Sequence, residues 1–215
     1  MVRILVFGDS ITWGYFDPQN GGWVDLFKKE YSQTSRYNQV MNLGISAEDS
    51  FDLSDRIKNE ISARTTKKPK YKKQNLIIIQ VGKNDSNFIK SKQENIVPLK
   101  NFKKNIKKII KISKKFADNV LFISPSYIDE SKTNPLNWAK DNFCKNEIIE
   151  KYVLAIQEVC KKKDIYFLNL FEEFQKLNYK KLLYDGLHPN IEGHKKIWKI
   201  VKAFLLKNNI LTGIK

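Results

Sequence analysis

The chain has 215 residues, of which 41% are hydrophobic and 12% aromatic, and it carries a formal net charge of +16 at pH 7. A chain of this size can bury enough apolar surface to fold as a single domain, residues 1–215, without disulfides. The composition excludes a wholly disordered chain, and no apolar stretch approaches the roughly 20 residues that span a bilayer. Cys144 and Cys160 match no common metal-site spacing and are expected to be reduced core residues.

Lysine supplies most of the positive charge. One run, Lys67–Lys73, precedes a strand, and the lysines between Lys103 and Lys115 are interleaved with isoleucines, as on the solvated face of an amphipathic helix. Arginine, whose planar guanidinium group binds phosphates through two hydrogen bonds, is scarce. We therefore expect no specific nucleic-acid partner and no integral membrane contact, although weak binding to an anionic surface stays open. No secretion signal precedes Asp9, so we expect a cytoplasmic protein, and the sequence leaves its oligomeric state open.

In chain order, apolar strand-like runs alternate with stretches of helical periodicity. The clearest strand is Leu76–Val81, which is short, rich in isoleucine and closed by Gly82. Strands are also predicted at Arg3–Phe7, Gln39–Leu43, Val120–Ile123 and Ile165–Leu168. Helices are predicted at Trp23–Glu30, Ser50–Ala63, Asn95–Phe116, Trp138–Lys162 and Glu192–Leu206. Five strands alternating with helices indicate an α/β protein whose parallel sheet has helices on both faces.

Residues at the carboxyl ends of parallel strands form the usual site of this architecture. Ser10 follows the first strand, and a serine hydroxyl needs a base to become a good nucleophile. The sequence has two histidines, His188 and His194. Asp185 precedes His188 by three residues, so its carboxylate can reach the imidazole and fix its tautomer. Ser10, Asp185 and His188 are therefore candidate nucleophile, acid and base, and His194 is expected to be structural.

Acyl transfer also needs donors for the oxyanion that develops on the carbonyl oxygen. Three candidates lie at the same edge of the sheet: the backbone N–H of Ser10, the backbone N–H of Gly44 and the side-chain amide of Asn84. Each residue also has a purely structural interpretation. Ser10 could cap a helix, Gly44 could end a strand and Asn84 could belong to a turn.

Four sequence blocks resemble those of the SGNH hydrolases, also called GDSL esterases and lipases. They are Gly8-Asp9-Ser10-Ile11-Thr12, Asn42-Leu43-Gly44, Gly82-Lys83-Asn84-Asp85 and Asp185-Gly186-Leu187-His188-Pro189. The resemblance implies a flavodoxin-like three-layer α/β/α sandwich with Ser10 as nucleophile, His188 as base and Asp185 orienting His188. It also implies an oxyanion hole of Ser10, Gly44 and Asn84, with no metal or organic cofactor. Lys83 stands where the family usually has a small or uncharged residue, and we expect it to point to solvent.

We expect a serine esterase that acts on a small-molecule ester with a short acyl chain, such as acetyl, because no long apolar lid is evident. A lysophospholipase or thioesterase and a carbohydrate deacetylase are further possibilities within the family. A non-catalytic polyanion-binding module using Lys67–Lys73 and Lys103–Lys115 is the competing hypothesis of another class. The aromatic side chains of Trp13 and of the loop Ser126–Trp138 are interpreted as packing more readily than as substrate contacts.

Overall fold

The computed structural model describes residues 2–65 and 74–211, so the basic run Lys67–Lys73 lies outside the described residues. The strands are β1 (Val2–Gly8), β2 (Gln39–Gly44), β3 (Gln74–Gln80), β4 (Phe88–Ile89), β5 (Glu94–Asn95), β6 (Asn119–Ile123), β7 (Asn142–Phe143) and β8 (Tyr166–Leu168). The helices are α1 (Ser10–Trp13), α2 (Gly22–Ser32), α3 (Ser50–Arg64), α4 (Leu99–Ser113), α5 (Asn146–Lys163), α6 (Leu170–Gln175) and α7 (Ile191–Lys207).

The main sheet has five strands, in the order β2-β1-β3-β6-β8, and every pairing in it is parallel. Successive side chains of β1 point to opposite faces of the sheet, as the two-residue period of a strand requires. Ile4 and Val6 pack with α2 and α7, whereas Leu5 and Phe7 pack with α3, α4 and α5. Each fully buried side chain of this kind contributes about 1.5–3 kcal/mol. The predicted three-layer α/β/α architecture with five parallel strands is confirmed.

Two predicted helices begin later than the sequence pattern indicated. The helix expected from Asn95 begins at Leu99, because Glu94–Asn95 pairs with β4 and Pro98 occupies the position before the first helical residue. The helix expected from Trp138 begins at Asn146, because Asn142–Phe143 pairs with the other edge of β4. These long-range pairings form a small antiparallel sheet that local periodicity does not reveal. Cys144, just before α5, and Cys160 within it are buried free thiols, as expected.

The parallel sheet brings the carboxyl ends of its strands to one edge. Strands β1, β2 and β3 end there at Gly8, Gly44 and Gln80, which are in register with one another. The loops that carry the predicted site residues therefore share this edge. Across the described ranges, no helix has both the length and the apolar character needed to cross a membrane.

Candidate active site

Ser10, His188 and Asp185 form a hydrogen-bonded chain at the carboxyl edge of the sheet. The Ser10 Oγ lies 2.9 Å from Nε2 of His188, although 178 residues separate the two in sequence. The other ring nitrogen, Nδ1, lies 2.7 Å from Oδ2 of Asp185. With the imidazole proton on Nδ1, His188 donates to Asp185 and leaves the Nε2 lone pair for the serine hydroxyl.

Asp9, rather than Ser10, caps the short helix α1. Its side chain accepts a hydrogen bond from the Ile11 N–H at 2.9 Å, and its backbone is extended, as an N-cap requires. The helix therefore does not use the Ser10 hydroxyl, which is free to face His188. This arrangement rules out the interpretation of Ser10 as a helix cap.

A tight turn fixes the carboxylate of Asp185 in place. Its Oδ1 accepts hydrogen bonds from the backbone N–H groups of Leu187, at 2.9 Å, and His188, at 2.8 Å. Burial by itself raises the pKa of Asp185, but the hydrogen bond and charge of His188 and these backbone donors outweigh it and lower the pKa overall. Asp185 is therefore an ionised partner for the imidazole at neutral pH.

A cavity of ≈ 410 Å³ opens directly over these three side chains. Its lining residues are Ser10, Tyr15, Phe16, Ser46, Ala47, Asn84, Asn87, Leu136, Trp138, Asp185, Leu187 and His188. Rings of Tyr15, Phe16 and Trp138 have centroids 5.4–5.7 Å from that of His188 and surround the imidazole. The sequence interpretation of Trp138 as a packing residue was wrong, because it lines the cavity and is 54% exposed.

Asn84 lines the cavity, and its side-chain amide is held by a hydrogen bond to the backbone of another loop. Its Nδ2 donates to the backbone carbonyl of Glu48 at 2.8 Å, which uses one of the two amide hydrogens. The Glu48 side chain is buried and paired with Arg56, which also donates to the Leu43 carbonyl at 2.6 Å. These contacts tie the loop after β2 to the loop after β3.

Gly44 lies elsewhere than the sequence prediction required. Its N–H donates to Oδ1 of Asn42 at 3.1 Å, and the residue lines a neighbouring cavity with Trp13 instead of the one above Ser10. A Cβ at Gly44 would lie 2.4 Å from the Trp13 nitrogen, so glycine is needed there for close packing of α1 on β2.

Ala47, which the sequence analysis missed, takes the position expected of Gly44. It lines the cavity, has a φ of 62°, and its N–H has no hydrogen-bond acceptor among residues 2–65 and 74–211. The left-handed backbone of Ala47 could not be predicted from the sequence, because glycine often adopts that conformation and alanine rarely does.

Lys83 is buried, so the expectation that it points to solvent was wrong. The residue is 2% exposed, and its Nζ donates to the Ser126 carbonyl at 2.5 Å. Burial lowers the pKa of Lys83 to about 8, and the charge of the nearby Asp9 carboxylate opposes that shift. Asp9 is itself buried and its pKa is raised by burial, so Lys83 supplies a nearby positive charge to the carboxylate next to Ser10.

His194 is fully buried and has a structural role, in agreement with the sequence interpretation. Its Nε2 lies 2.8 Å from the Tyr15 carbonyl, and its Nδ1 accepts from the Trp23 N–H at 3.3 Å. These contacts place the proton on Nε2 and hold the segment of Tyr15 that lines the cavity. In the described part of the chain, no group of three or more potential metal ligands is arranged around one point.

A comparison with protein-family models identifies the family of this chain. The family model described as GDSL-like Lipase/Acylhydrolase matches residues 4–201. No curated protein sequence matches the chain significantly.

Solved structures share the fold at low sequence identity. A lipase/acylhydrolase from Enterococcus faecalis is 22% identical, covers 95% of each chain and has a TM-score of 0.72. Axe2, an acetylxylan esterase from Geobacillus stearothermophilus, is 19% identical, covers 94% of this chain and 92% of its own, and has a TM-score of 0.68. LAE5 is an alpha/beta hydrolase enzyme from the metagenome of Lake Arreo in Spain. It is 16% identical, covers 94% of this chain and 93% of its own, and has a TM-score of 0.68.

The family match covers nearly the whole chain, and the four sequence blocks that carry the resemblance lie within it. The observed three-layer fold is the one shared with these solved structures. The chain belongs to the GDSL-like lipase/acylhydrolase family and is a carboxylic ester hydrolase.

Proposed function

We propose that the protein hydrolyses small esters of short-chain acids, acetyl esters first among them, through an acyl-enzyme formed on Ser10. The observation that carries this proposal is the 2.9 Å contact between the Ser10 Oγ and Nε2 of His188, continued by the 2.7 Å contact from Nδ1 to Asp185. Serine nucleophiles act in this way when a base accepts their proton and a carboxylate orients that base.

In the first half of the reaction, Nε2 of His188 takes the hydroxyl proton as Ser10 Oγ attacks the ester carbonyl carbon. The ionised Asp185 stabilises the imidazolium that results, because its Oδ2 accepts the Nδ1–H. The tetrahedral intermediate then collapses as His188 protonates the leaving alcohol. In the second half, water takes the place of the alcohol and attacks the acyl carbon while His188 accepts its proton. The bond between Ser10 Oγ and the acyl carbon then breaks, His188 returns the proton to Oγ, and the carboxylic acid is released.

We assign three donors to the oxyanion: the Ser10 N–H, the Ala47 N–H and the second amide hydrogen of Asn84. All three residues line the cavity, and the Asn84 amide is held by the Glu48 carbonyl with one hydrogen left over. This assignment replaces Gly44 with Ala47, because the Gly44 N–H is occupied by Asn42. Each such donor is worth about 2.7–4 kcal/mol in the transition state.

The size of the cavity supports a small substrate. At ≈ 410 Å³ it lies near the lower end of small-molecule sites, which run from about 300 to 1,000 Å³. A series of p-nitrophenyl esters from acetate to decanoate tests the acyl length. We expect kcat/KM to fall beyond short chains, and faster hydrolysis of octanoate than of acetate would contradict the proposal.

Replacement of Ser10 by alanine tests the mechanism. We expect S10A to lose p-nitrophenyl acetate hydrolysis by roughly 10⁴-fold or more while its thermal unfolding stays close to that of the wild-type protein. The matched control is Ser62→Ala, which alters an exposed serine on α3 and should leave the rate unchanged. Retention of activity in S10A would reject a serine mechanism at this site.

Deacetylation of a carbohydrate is a second candidate, favoured by the exposed ring of Trp138 next to His188. Sugars pack their C–H faces on such rings. The similarity to Axe2, which is described as an acetylxylan esterase, supports this candidate further. Variants of Axe2 described as catalytic mutants replace a serine, a histidine or an aspartate by alanine, the three residue types of the site proposed here. Release of acetate from acetylated xylo-oligosaccharides tests it: Trp138→Ala should raise KM for the sugar far more than for p-nitrophenyl acetate.

Long-chain ester hydrolysis and polyanion binding without catalysis have less support. A lysophospholipase or thioesterase would place a long acyl chain in the cavity, and the chain-length series tests that outcome. A purely polyanion-binding module is disfavoured by membership of a hydrolase family. In the basic helix proposed for such a module, Lys103 is paired with Glu158 and Lys108 with Asp55, which reduces the charge available to a polyanion.

A further inference from the structure

The side chain of Asn87 lies at the active-site cavity without a hydrogen-bonding partner. The residue lines the cavity and is 4% exposed. Its Oδ1 is closed to solvent and accepts no hydrogen bond, and within residues 2–65 and 74–211 its Nδ2 donates none. A buried amide that is left unpaired lowers the stability of a protein, so such groups are rare and require an explanation.

Position in the cavity distinguishes Asn87 from the other unpaired polar groups. Buried side-chain atoms without a partner occur in five further residues of the described chain: Glu60, Asn75, Gln80, Ser113 and Ser126. The lining of the active-site cavity includes none of these five. Asn87 is therefore the unpaired buried group that a substrate bound over Ser10 can approach.

The fold holds the backbone of Asn87 and makes no use of its amide. The Asn87 N–H donates to the Asn84 carbonyl at 3.1 Å, and its carbonyl accepts from the Ile96 N–H at 2.9 Å. A side-chain hydrogen bond that stabilises this turn comes from a neighbour, since the Ser86 Oγ donates to the Lys83 carbonyl at 2.8 Å. Asn87 is thus fixed in place while its side-chain amide stays available to a ligand.

The position of Asn87 is close to the reacting groups. It ends the turn that begins at Asn84, one of the proposed oxyanion donors. The next residue, Phe88, pairs with Phe143, which joins this turn to the segment that follows Trp138. Asn84, Asn87 and Trp138 all line the same cavity of ≈ 410 Å³, so a group bound by Asn87 belongs to the part of the substrate around the ester bond.

We propose that Asn87 is a specificity-determining residue that forms a hydrogen bond with a hydroxyl group of the substrate ester. Among the described residues no hydrogen bond holds the amide in one orientation, so a half-turn about the last side-chain bond presents either Oδ1 or Nδ2 to the cavity. A hydroxyl both donates and accepts, and it can pair with whichever atom faces it. An unsubstituted alkyl ester leaves the amide unpaired and is a poorer substrate for that reason.

The hydroxyl can belong to the acyl group or to the alcohol. A hydroxyl on the alcohol agrees with the carbohydrate candidate described above, whereas a hydroxyl on the acyl group indicates an ester of a hydroxy acid. The inference rests on the proposed hydrolysis of esters at Ser10, and it adds the polar group that a preferred ester carries.

Three small esters that differ in one hydroxyl test the proposal. Ethyl acetate carries none, ethyl glycolate carries one on the acyl group, and 2-hydroxyethyl acetate carries one on the alcohol. The acid released gives kcat/KM for the wild-type protein and for Asn87→Ala. We expect the variant to lose kcat/KM for one hydroxylated ester by about ten-fold or more relative to ethyl acetate. Comparing each ester between the two proteins cancels its intrinsic reactivity, and the ester that loses identifies the moiety.

Thermal unfolding separates this role from a structural one. Because the amide makes no hydrogen bond to the fold, Asn87→Ala should unfold no more than about 2 °C below the wild-type protein. Asn87→Leu, which replaces the amide with an apolar group of similar branching, should lose the same preference for the hydroxylated ester. The matched control is Asn101→Ala, at an exposed position of α4, and it should keep the wild-type ratios among the three esters.

Two outcomes would overturn the proposal. One is an equal change for all three esters in both Asn87 variants, which would show that the amide does not distinguish a hydroxyl. The other is a much lower unfolding temperature in both variants, which would show that the amide serves the fold. Failure of the proposed function is recognised independently, by retained hydrolysis in S10A.

Discussion

The side-chain amide of Asn84 donates to the backbone carbonyl of Glu48 at 2.8 Å and so joins the two loops that form one wall of the cavity. The contact leaves one amide hydrogen available to substrate. It also fixes the segment that carries Ala47. A single side chain thus positions two of the three donors that we assign to the oxyanion.

Replacing Asn84 tests this assignment. We expect Asn84→Ala to lower kcat for p-nitrophenyl acetate by roughly 100–1,000-fold with a smaller change in KM, because an oxyanion donor acts chiefly in the transition state. Asn84→Asp should be at least as impaired, since a carboxylate donates no hydrogen bond and repels the oxyanion. Asn101→Ala, an exposed asparagine on α4, is the control and should be active. A loss below ten-fold in N84A would remove Asn84 from the oxyanion hole.

We expect Gly44→Ala to lower stability and activity, and Ala47→Gly to leave both unchanged or to raise stability. In Gly44→Ala the new Cβ meets the Trp13 nitrogen at 2.4 Å, so α1 must shift, which costs about 1–3 kcal/mol of unfolding free energy and displaces Ser10. Ala47→Gly keeps the backbone N–H and relieves a left-handed alanine, which we expect to be neutral or stabilising by up to about 1 kcal/mol. Urea unfolding and esterase rates measure both. Full activity in G44A combined with inactivity in A47G would contradict this account.

The buried Lys83 should make stability depend on alkaline pH. Its pKa of about 8 lies below the ordinary value of 10.5, so between these values the unfolded chain binds a proton that the folded protein has lost. The free energy of unfolding therefore gains from this group as pH rises from 8 towards 10, by at most about 1.4 kcal/mol per pH unit. Lys83→Met lacks this gain, so its stability relative to the wild-type protein should fall across that range. Parallel stability curves for the two proteins would show that Lys83 does not titrate there.

His194 should make stability depend on acidic pH. Burial lowers its pKa below the ordinary value of 6.5, despite the hydrogen bond to the Tyr15 carbonyl, so the folded protein keeps the imidazole neutral. As pH falls below 6.5 the unfolded state takes up the proton first, and this contribution to stability is lost. His194→Gln removes the titration while its amide can still donate to Tyr15. Its unfolding free energy should therefore change less between pH 7 and pH 5 than that of the wild-type protein, and an equal change would contradict the assignment.

The architecture and the reaction class could both be predicted from the amino-acid sequence. Isoleucine-rich runs such as Leu76–Val81 form strands in this chain, because a β-branched side chain packs well on a sheet that is buried on both faces. The blocks around Ser10 and His188 predict the nucleophile and its base, because few other residue types can perform those roles and the sequence has two histidines. The observed contact between Ser10 and His188 has the geometry that this chemistry needs.

The features that depend on neighbours distant in sequence became visible in the folded chain. Pairing of β4 with β5 and β7 delayed the starts of α4 and α5, and contact with Trp13 made Gly44 a packing residue while Ala47 lined the cavity. Lys83 is buried because Ser126 and Asp9 provide partners there, and lysine by its nature predicts exposure. A local sequence pattern reflects the preference of each residue for water or for a backbone conformation. The helix starts, the packing of Gly44 and the burial of Lys83 depend instead on which distant groups the folded chain places against those residues.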